Sequence, residues 1–269
     1  MLVTGSSDGI GQQTALELAR RGIHVVVHGR DPARTERAAS QVRAAAAAEV
    51  STIVADLSSL AAVRAMADEI VSRFPTLSVL INNAGLIVPR KQLSADGFEL
   101  TFAVNHLAHF LLTERLLPTL MLNAPARVIT VSSGLHGSGR LPHAGDDLDE
   151  AALLSPRDYD SHRAYSRSKQ ANVLFAVGLS RRLDPARVTS NALEPGVIAT
   201  KMLREGFGMA GGGSLAQGAA TSVHVATDER LAQVTGRYFA RSSEARASFS
   251  EGDVEPLWEL SERLCARWL

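Results

Sequence analysis

Cysteine is nearly missing from this 269-residue sequence. The one present, Cys265, has no internal disulfide partner, which fits a reducing compartment such as the cytoplasm. Excess charge is missing too, since Lys plus Arg and Asp plus Glu each number 28. With no basic run there is no electrostatic case for nucleic acid or an anionic membrane surface. No apolar run approaches the roughly 20 residues that span a bilayer. The opening residues lack the basic stretch and cleavage site of a signal peptide. They read instead as a first strand with only three residues before Thr4, as if the N-terminus were clipped. His106, His109 and His136 are scattered without ligand spacing, so no metal site is expected.

What is present is a 45 % hydrophobic chain, enough for a sizeable core. Short β-branched runs alternate with helical patterns, the signature of a parallel sheet covered on both faces. Strands are expected at Met1–Val3, Ile23–His28, Val50–Val54, Leu77–Ile81, Arg127–Val131, Val188–Leu193 and Arg237–Ala240. Helices are expected over Gly11–Arg21, Pro32–Ala48, Leu60–Phe74, Phe98–Met121, Tyr159–Leu183 and Glu255–Trp268. The pattern predicts an α/β fold: a single doubly wound Rossmann-type domain over residues 1–269, with about seven strands. Two stretches break the rhythm. Gly134–Asp158 is a long polar loop, and Lys201–Gln217 is a glycine-rich segment of the kind that forms lids.

Thr4-Gly5-Ser6-Ser7-Asp8-Gly9-Ile10-Gly11 joins the first strand to a helix. Glycines here allow a tight turn and let a pyrophosphate approach backbone N–H groups at the positive end of the helix. The spacing Gly-x-x-x-Gly-x-Gly differs from the better-known Gly-x-Gly-x-x-Gly, and a plain glycine-rich turn is the alternative. After strand two stands Arg30, where dinucleotide folds read the adenosine ribose. An acidic residue there suits NAD, whereas an arginine suits the 2′-phosphate of NADP. Asp31-Pro32 reads as a helix N-cap with proline at the first helical position. NADP(H) is therefore expected over NAD(H), with Arg34 adding charge.

Tyr165 and Lys169 are four residues apart in a helical pattern, hence on one face. A nearby ammonium, together with the positive nicotinamide ring of an oxidised cofactor, is expected to lower the phenol's pKa and make it an acid–base catalyst; a surface Tyr/Lys pair is the bland alternative. Ser132-Ser133 ends strand five, and Asn82-Asn83-Ala84-Gly85 ends strand four, where doubly wound sheets bind ligands. Asn105 lies in a helix, where asparagine is a mediocre choice, so a buried polar role is plausible.

These motifs, with Pro195-Gly196, occur in the order seen in short-chain dehydrogenases/reductases, and the resemblance spans nearly the whole chain. The resemblance implies hydride transfer between NADP(H) and a carbonyl or alcohol. Tyr165 would be the general acid/base. Lys169 would hold the nicotinamide ribose and lower the Tyr165 pKa. Ser133, preferred to Ser132 as the second of the pair, would orient the substrate oxygen, and Asn105 would anchor a water. Gly5, Ser7, Asp8, Gly9, Ile10 and Gly11 would cradle the pyrophosphate, with Arg30 beside the ribose. Asp56 and Leu57 would face the adenine. Asn83, Ala84 and Gly85 would line the adenosine ribose. Pro195, Gly196, Ile198 and Thr200 would hold the carboxamide and pyrophosphate.

Ser133 and Tyr165 are 32 positions apart, a long gap that resembles the retinol-dehydrogenase-like branch and its bacterial relatives. So do Phe102–Thr113, Arg30-Asp31 and Leu257–Ser261. Branch members carry an N-terminal membrane anchor; no such segment is seen here, and a soluble cytoplasmic enzyme is expected. The apolar lid residues point to an apolar, fairly bulky carbonyl substrate, with the long loop before Tyr165 helping to choose it. The family implies a homodimer or homotetramer. The rival reading is a dinucleotide sensor that kept the fold and lost the chemistry.

Overall fold

The structure, a computed structural model, describes residues 1–46, 48–145 and 147–269. The first half comprises β1 (Leu2–Val3), α1 (Gly9–Arg20), β2 (Val25–Gly29), α2 (Pro32–Ala44), β3 (Val50–Val54), α3 (Leu60–Arg73) and β4 (Val79–Asn82). A long helix follows in three parts: α4 (Leu100–Phe102), a turn of π-helix over Ala103–Leu107, and α5 (Ala108–Leu122). Then come β5 (Ala126–Val131), a two-residue hairpin of β6 (His143–Ala144) and β7 (Asp147–Leu148), α6 (Glu150–Leu154) and α7 (Ser161–Arg182). The chain ends with β8 (Val188–Glu194), α8 (Lys201–Phe207), α9 (Leu215–Thr227), β9 (Tyr238–Ala240), β10 (Ser243–Ala245) and α10 (Val254–Cys265).

The main sheet runs β10-β9-β8-β5-β4-β1-β2-β3 and is parallel except for the β9–β10 pair. Leu2 faces Val26 on one side and Leu80 on the other, so β1 is central. Chain order reverses between β1 and β4, and that switch opens a crevice at the carboxyl ends of the strands. Side chains alternate between two cores. Leu2, Val26 and Leu80 join α3, α5, α7 and α10, whereas Val3, Val25 and Val27 join α1, α2 and α9.

The sheet has eight strands where seven were expected. The extra one, β10, is a three-residue edge reached through Arg241 and Ser242, both at positive φ (51° and 58°). Three residues with two polar side chains carry no readable period. The second helix stops at Ala44; the expected extension to Ala48 includes Ala47, which lies outside the described residues.

The segment expected as a lid over Lys201–Gln217 is shorter. Thr200 caps α8 by accepting from the Leu203 N–H at 3.2 Å, and Gly208 ends it at φ 64°. Ser214 and Gln217 form a reciprocal capping box, so Leu215 onward belongs to α9. The loop Gly134–Asp158 is also partly built. Leu141, Leu153 and Leu154 are buried in the core and pull it down beside α7. Asp146, part of that loop, lies outside the described residues.

Candidate active site

The first glycine turn is shaped by contact as well as by dihedral. Gly5 sits at φ 63°, and a Cβ there would stand 2.7 Å from the Ala84 Cα. A Cβ at Gly11 would strike the Gly5 carbonyl and the Asn83 amide. Gly9, at φ 58°, meets only the Thr200 methyl, at 3.9 Å, so this part of the turn is open. Behind the turn His28 is fully buried. Its Nδ1 accepts from the Gly5 N–H at 3.0 Å, which leaves Nε2–H to donate to the Ala55 carbonyl at 3.2 Å. Burial drives its pKa down to about 4, so the ring is a neutral strut.

Thr4 ties this turn to β4. Its hydroxyl oxygen accepts from the Asn83 and Ala84 N–H groups, each at 2.9 Å. Asn83 returns an amide proton to the Thr4 carbonyl at 2.7 Å. At the end of β2, Asp31 caps α2 by accepting from the Arg34 N–H at 2.8 Å, with Pro32 in the first turn. Arg34 pairs with Asp8 at 3.0 Å across the turn. Arg30 is exposed and, among the described residues, has no ion-pair partner. Asp56 follows β3 and accepts from the Ser58 N–H at 2.9 Å.

The two serines at the end of β5 have different jobs. Ser132 is buried and donates to the Lys169 carbonyl at 2.7 Å, which fastens β5 to α7. Ser133 caps the short turn that follows by accepting from the Leu135 N–H at 3.2 Å and opens onto a cleft. Helix α7 starts where Asp160 accepts from the Arg163 N–H, and it carries arginines in its last turn. This rigid helix presents Tyr165 and Lys169 beneath Ser133. Lys169 Nζ donates to the Val131 carbonyl at 3.0 Å and lies 5.6 Å from the centre of the Tyr165 ring.

The expected lowering of the Tyr165 pKa is not what the chain itself produces. Burial pushes the phenol up to about 12, and the facing Ser133 hydroxyl only partly offsets it. Burial also brings Lys169 down to about 8, so its ammonium is held less firmly than in water. Desolvation is the leading cause for both groups.

Asn105 sits in the π-helical turn, an irregularity that often marks a functional position. Its Oδ1 accepts from the Leu86 N–H at 2.8 Å, and its Nδ2 donates to the Leu86 carbonyl and to Ser168 Oγ, both at 2.9 Å. Both amide protons are therefore used within the protein. Ser168 in turn donates to the Tyr165 carbonyl at 2.7 Å.

One cleft of about 1210 Å³ gathers these parts. Every residue singled out above for cofactor or chemistry lines it, with the single exception of Asn105, which braces its floor from below. Among the described residues of the long loop before Tyr165, Gly134 and Leu135 line the cleft, while Leu141, Leu153 and Leu154 turn into the core. Phe207 of α8 stands edge-on to Tyr165, ring centres 5.2 Å apart. The sequence reading passed over Glu194, a carboxylate in the cleft wall that faces Gly134. It stands directly before Pro195-Gly196, a position the motif leaves open. Among the described residues no cluster of side chains is spaced for a metal ion, and no helix is long and apolar enough to cross a membrane.

Comparison with known proteins gives a consistent picture. The family model described as "short chain dehydrogenase" matches residues 1–144. Human retinol dehydrogenase 14 is 36 % identical over 97 % of this chain and 84 % of its own length. A solved structure of an uncharacterized protein from Mycobacterium paratuberculosis has 33 % identity and a TM-score of 0.80, covering 98 % of this chain and 92 % of that one. The structure of a short chain dehydrogenase from Burkholderia cenocepacia in complex with NADP shares the fold at 24 % identity, with a TM-score of 0.69 over 90 % of this chain and 97 % of that one.

Proposed function

This chain belongs to the short chain dehydrogenase family, and from that premise we propose that it moves a hydride between NADP(H) and an apolar carbonyl or alcohol, with Tyr165 as the general acid/base. Membership makes it an NAD(P)-dependent oxidoreductase of alcohol and carbonyl groups. The observation that carries the finer reading is the meeting of Ser133, Tyr165 and Lys169 in the same cleft as the glycine turn.

The residues fit a dinucleotide. Gly5 and Gly11 let the turn close against Ala84 and Asn83 where a Cβ would clash, and Gly9 leaves it open to the cleft at the N-terminus of α1. Gly9, Ile10 and Gly196 would meet the pyrophosphate, Asp56 and Leu57 the adenine, and Asn83 to Gly85 the adenosine ribose. Arg30 supports NADP: it is free, and Asp31 is committed to the helix cap. The bound nicotinamide supplies or takes up the hydride.

Tyr165 then handles the proton. With its pKa held near 12 it is protonated at neutral pH, so it is set to donate to a carbonyl oxygen as that oxygen gains charge. Ser133 holds the same oxygen through its hydroxyl. Lys169, fixed by the Val131 carbonyl, holds positive charge under the ring, and this charge favours the phenolate needed for alcohol oxidation. Leu93, Leu135, Met202, Phe207 and Met209 line the outer cleft and favour an apolar substrate. The lone buried thiol of Cys265 supports a cytoplasmic setting.

A panel of aldehydes, ketones and secondary alcohols, followed by the absorbance of reduced NADP, tests the proposal. Turnover of at least one compound is the expected result. Tight cofactor binding with no turnover of any would favour the sensor reading.

A further inference from the structure

Between the glycine turn and the acid–base helix lies a fully buried histidine that the chemistry above does not use. His109 is 0 % exposed, on α5 one turn after Asn105. Its Nδ1 is 3.0 Å from the Asn105 carbonyl and its Nε2 is 2.9 Å from Thr4 Oγ1. A carbonyl can only accept, so the proton is on Nδ1. Nε2 must then accept, and its donor is the Thr4 hydroxyl. Every valence of that hydroxyl is now used, because its oxygen also takes the Asn83 and Ala84 N–H groups.

One unbroken path results. It runs from Ala84, which packs on Gly5, through Thr4 and His109 to Asn105. From there it passes through the Asn105 amide to Ser168, and through Ser168 to the carbonyl of Tyr165. Asn105 also reaches this segment through Leu86, two residues after Ala84, so His109 adds a second tie, one that starts at the glycine turn itself. We propose that His109 is a positioning residue that links dinucleotide binding at the glycine turn to the placement of the Asn105–Ser168–Tyr165 assembly. This rests on Tyr165 being the general acid/base. Neutrality of the ring is part of the device, since a charged His109 would lose its acceptor and face the Lys169 ammonium. Burial first, and Lys169 after it, hold its pKa near 3.

The test compares His109→Leu with His109→Gln, which keeps one donor and one acceptor. Each is measured for kcat on a carbonyl the wild type reduces, and for NADPH affinity by the fluorescence of the bound reduced cofactor. The leucine variant is expected to lose at least tenfold in kcat and several-fold in NADPH affinity, with the glutamine variant recovering most of both. A leucine variant within twofold of wild type in both quantities overturns the proposal. So does equal damage in the two variants, which would mean that ring packing alone matters. If His109→Leu does not fold, Thr4→Val and Thr4→Ser replace the pair, with the same double loss expected of valine and recovery expected of serine. Wild-type turnover that Tyr165→Phe abolishes, beside His109 variants that behave as wild type, would leave the proposed function standing and remove this inference alone.

Discussion

At the end of β2 the backbone delivers Arg30 to the cleft with no opposite charge beside it, because Asp31 has turned its carboxylate to the Arg34 N–H. Gly29 adds no charge either. A Cβ there would meet Ser7 at 2.7 Å, so the approach of the glycine turn keeps this position bare. A 2′-phosphate would find one unpaired guanidinium, with Arg34 close by on Asp8. Charge-assisted hydrogen bonds of this kind contribute about 1.5–3 kcal/mol each. Arg30→Asp is therefore expected to weaken NADP binding by about ten- to a hundredfold and to reverse the preference toward NAD. Titration of the two cofactors against tryptophan fluorescence, from Trp258 and Trp268, measures this. Tighter binding of NAD by the wild type would contradict it. The Arg30 position and the Asp31 cap were both legible in the sequence, since each follows from a residue type at a strand-to-helix junction. The preference for Ser133 over Ser132 came from the resemblance, and the fold adds that the Ser132 hydroxyl is spent on the Lys169 carbonyl.

Helix α10 shows what an element adds. Its face of Leu257, Trp258, Leu260 and Cys265 is buried on α5 and α7, and Phe110, Phe175 and Trp258 form one aromatic group. His106 locks the contact by donating Nε2–H to Ser261 Oγ at 2.9 Å, since the Ser261 proton goes to the Leu257 carbonyl. Against this seam stands a liability. Glu114 of α5 is held near pKa 7 by burial first and by Glu262 of α10 second, while Arg182 of α7 only partly compensates. A carboxylate whose folded pKa lies above its unfolded value keeps full stability below the unfolded value. It loses stability as pH rises through the folded one. The loss here falls between about pH 4.5 and 7 and is on the order of 3 kcal/mol. Glu114→Gln removes it. The variant should melt several degrees above wild type at pH 8 and close to it at pH 5, by calorimetry; an equal shift at both pH values would show that charge is not the cause. The amphipathic stripe of α10 was readable from its period. Helix α9 was passed over because a glycine run precedes it, although Ser214 and Gln217 already carried its start signal. The π-helical turn at Asn105 has no sequence signal, since it depends on the amide finding Leu86 and Ser168 across the fold.

For the whole molecule, formal charge balances at zero, so self-repulsion contributes little near neutrality. The acid limit is set instead by burial. His28, His106 and His109 are all held neutral by desolvation, with pKa values of about 4, 3 and 3. Each folded value lies below the unfolded one of about 6.5. Stability is therefore complete above pH 6.5 and is lost as pH falls toward the folded values, at up to about 1.4 kcal/mol per pH unit for each ring. Glu114 works in the opposite direction over part of this range, but one carboxylate opposes three histidines. The melting temperature should fall clearly from pH 7.5 to pH 5.0. A constant or rising value would mean that these rings are already charged or exposed in the fold. At this scale the sequence was most informative: alternating strands and helices, with glycine, asparagine and Tyr-x-x-x-Lys motifs in order, specified the layered sheet and the family. What it could not carry was the dielectric of the site. Spacing puts Lys169 beside Tyr165, yet burial alone decides that the phenol starts high.

The most direct measurement is therefore turnover by Tyr165→Phe in the reduced-NADP absorbance assay, on a carbonyl compound that the wild type reduces, with NADPH affinity measured alongside. Loss of general acid catalysis removes about 10²–10⁴ in rate, so the variant should bind NADPH as the wild type does and show turnover at least a hundredfold lower. Undiminished turnover by the phenylalanine variant would contradict the assignment of Tyr165 as the proton donor.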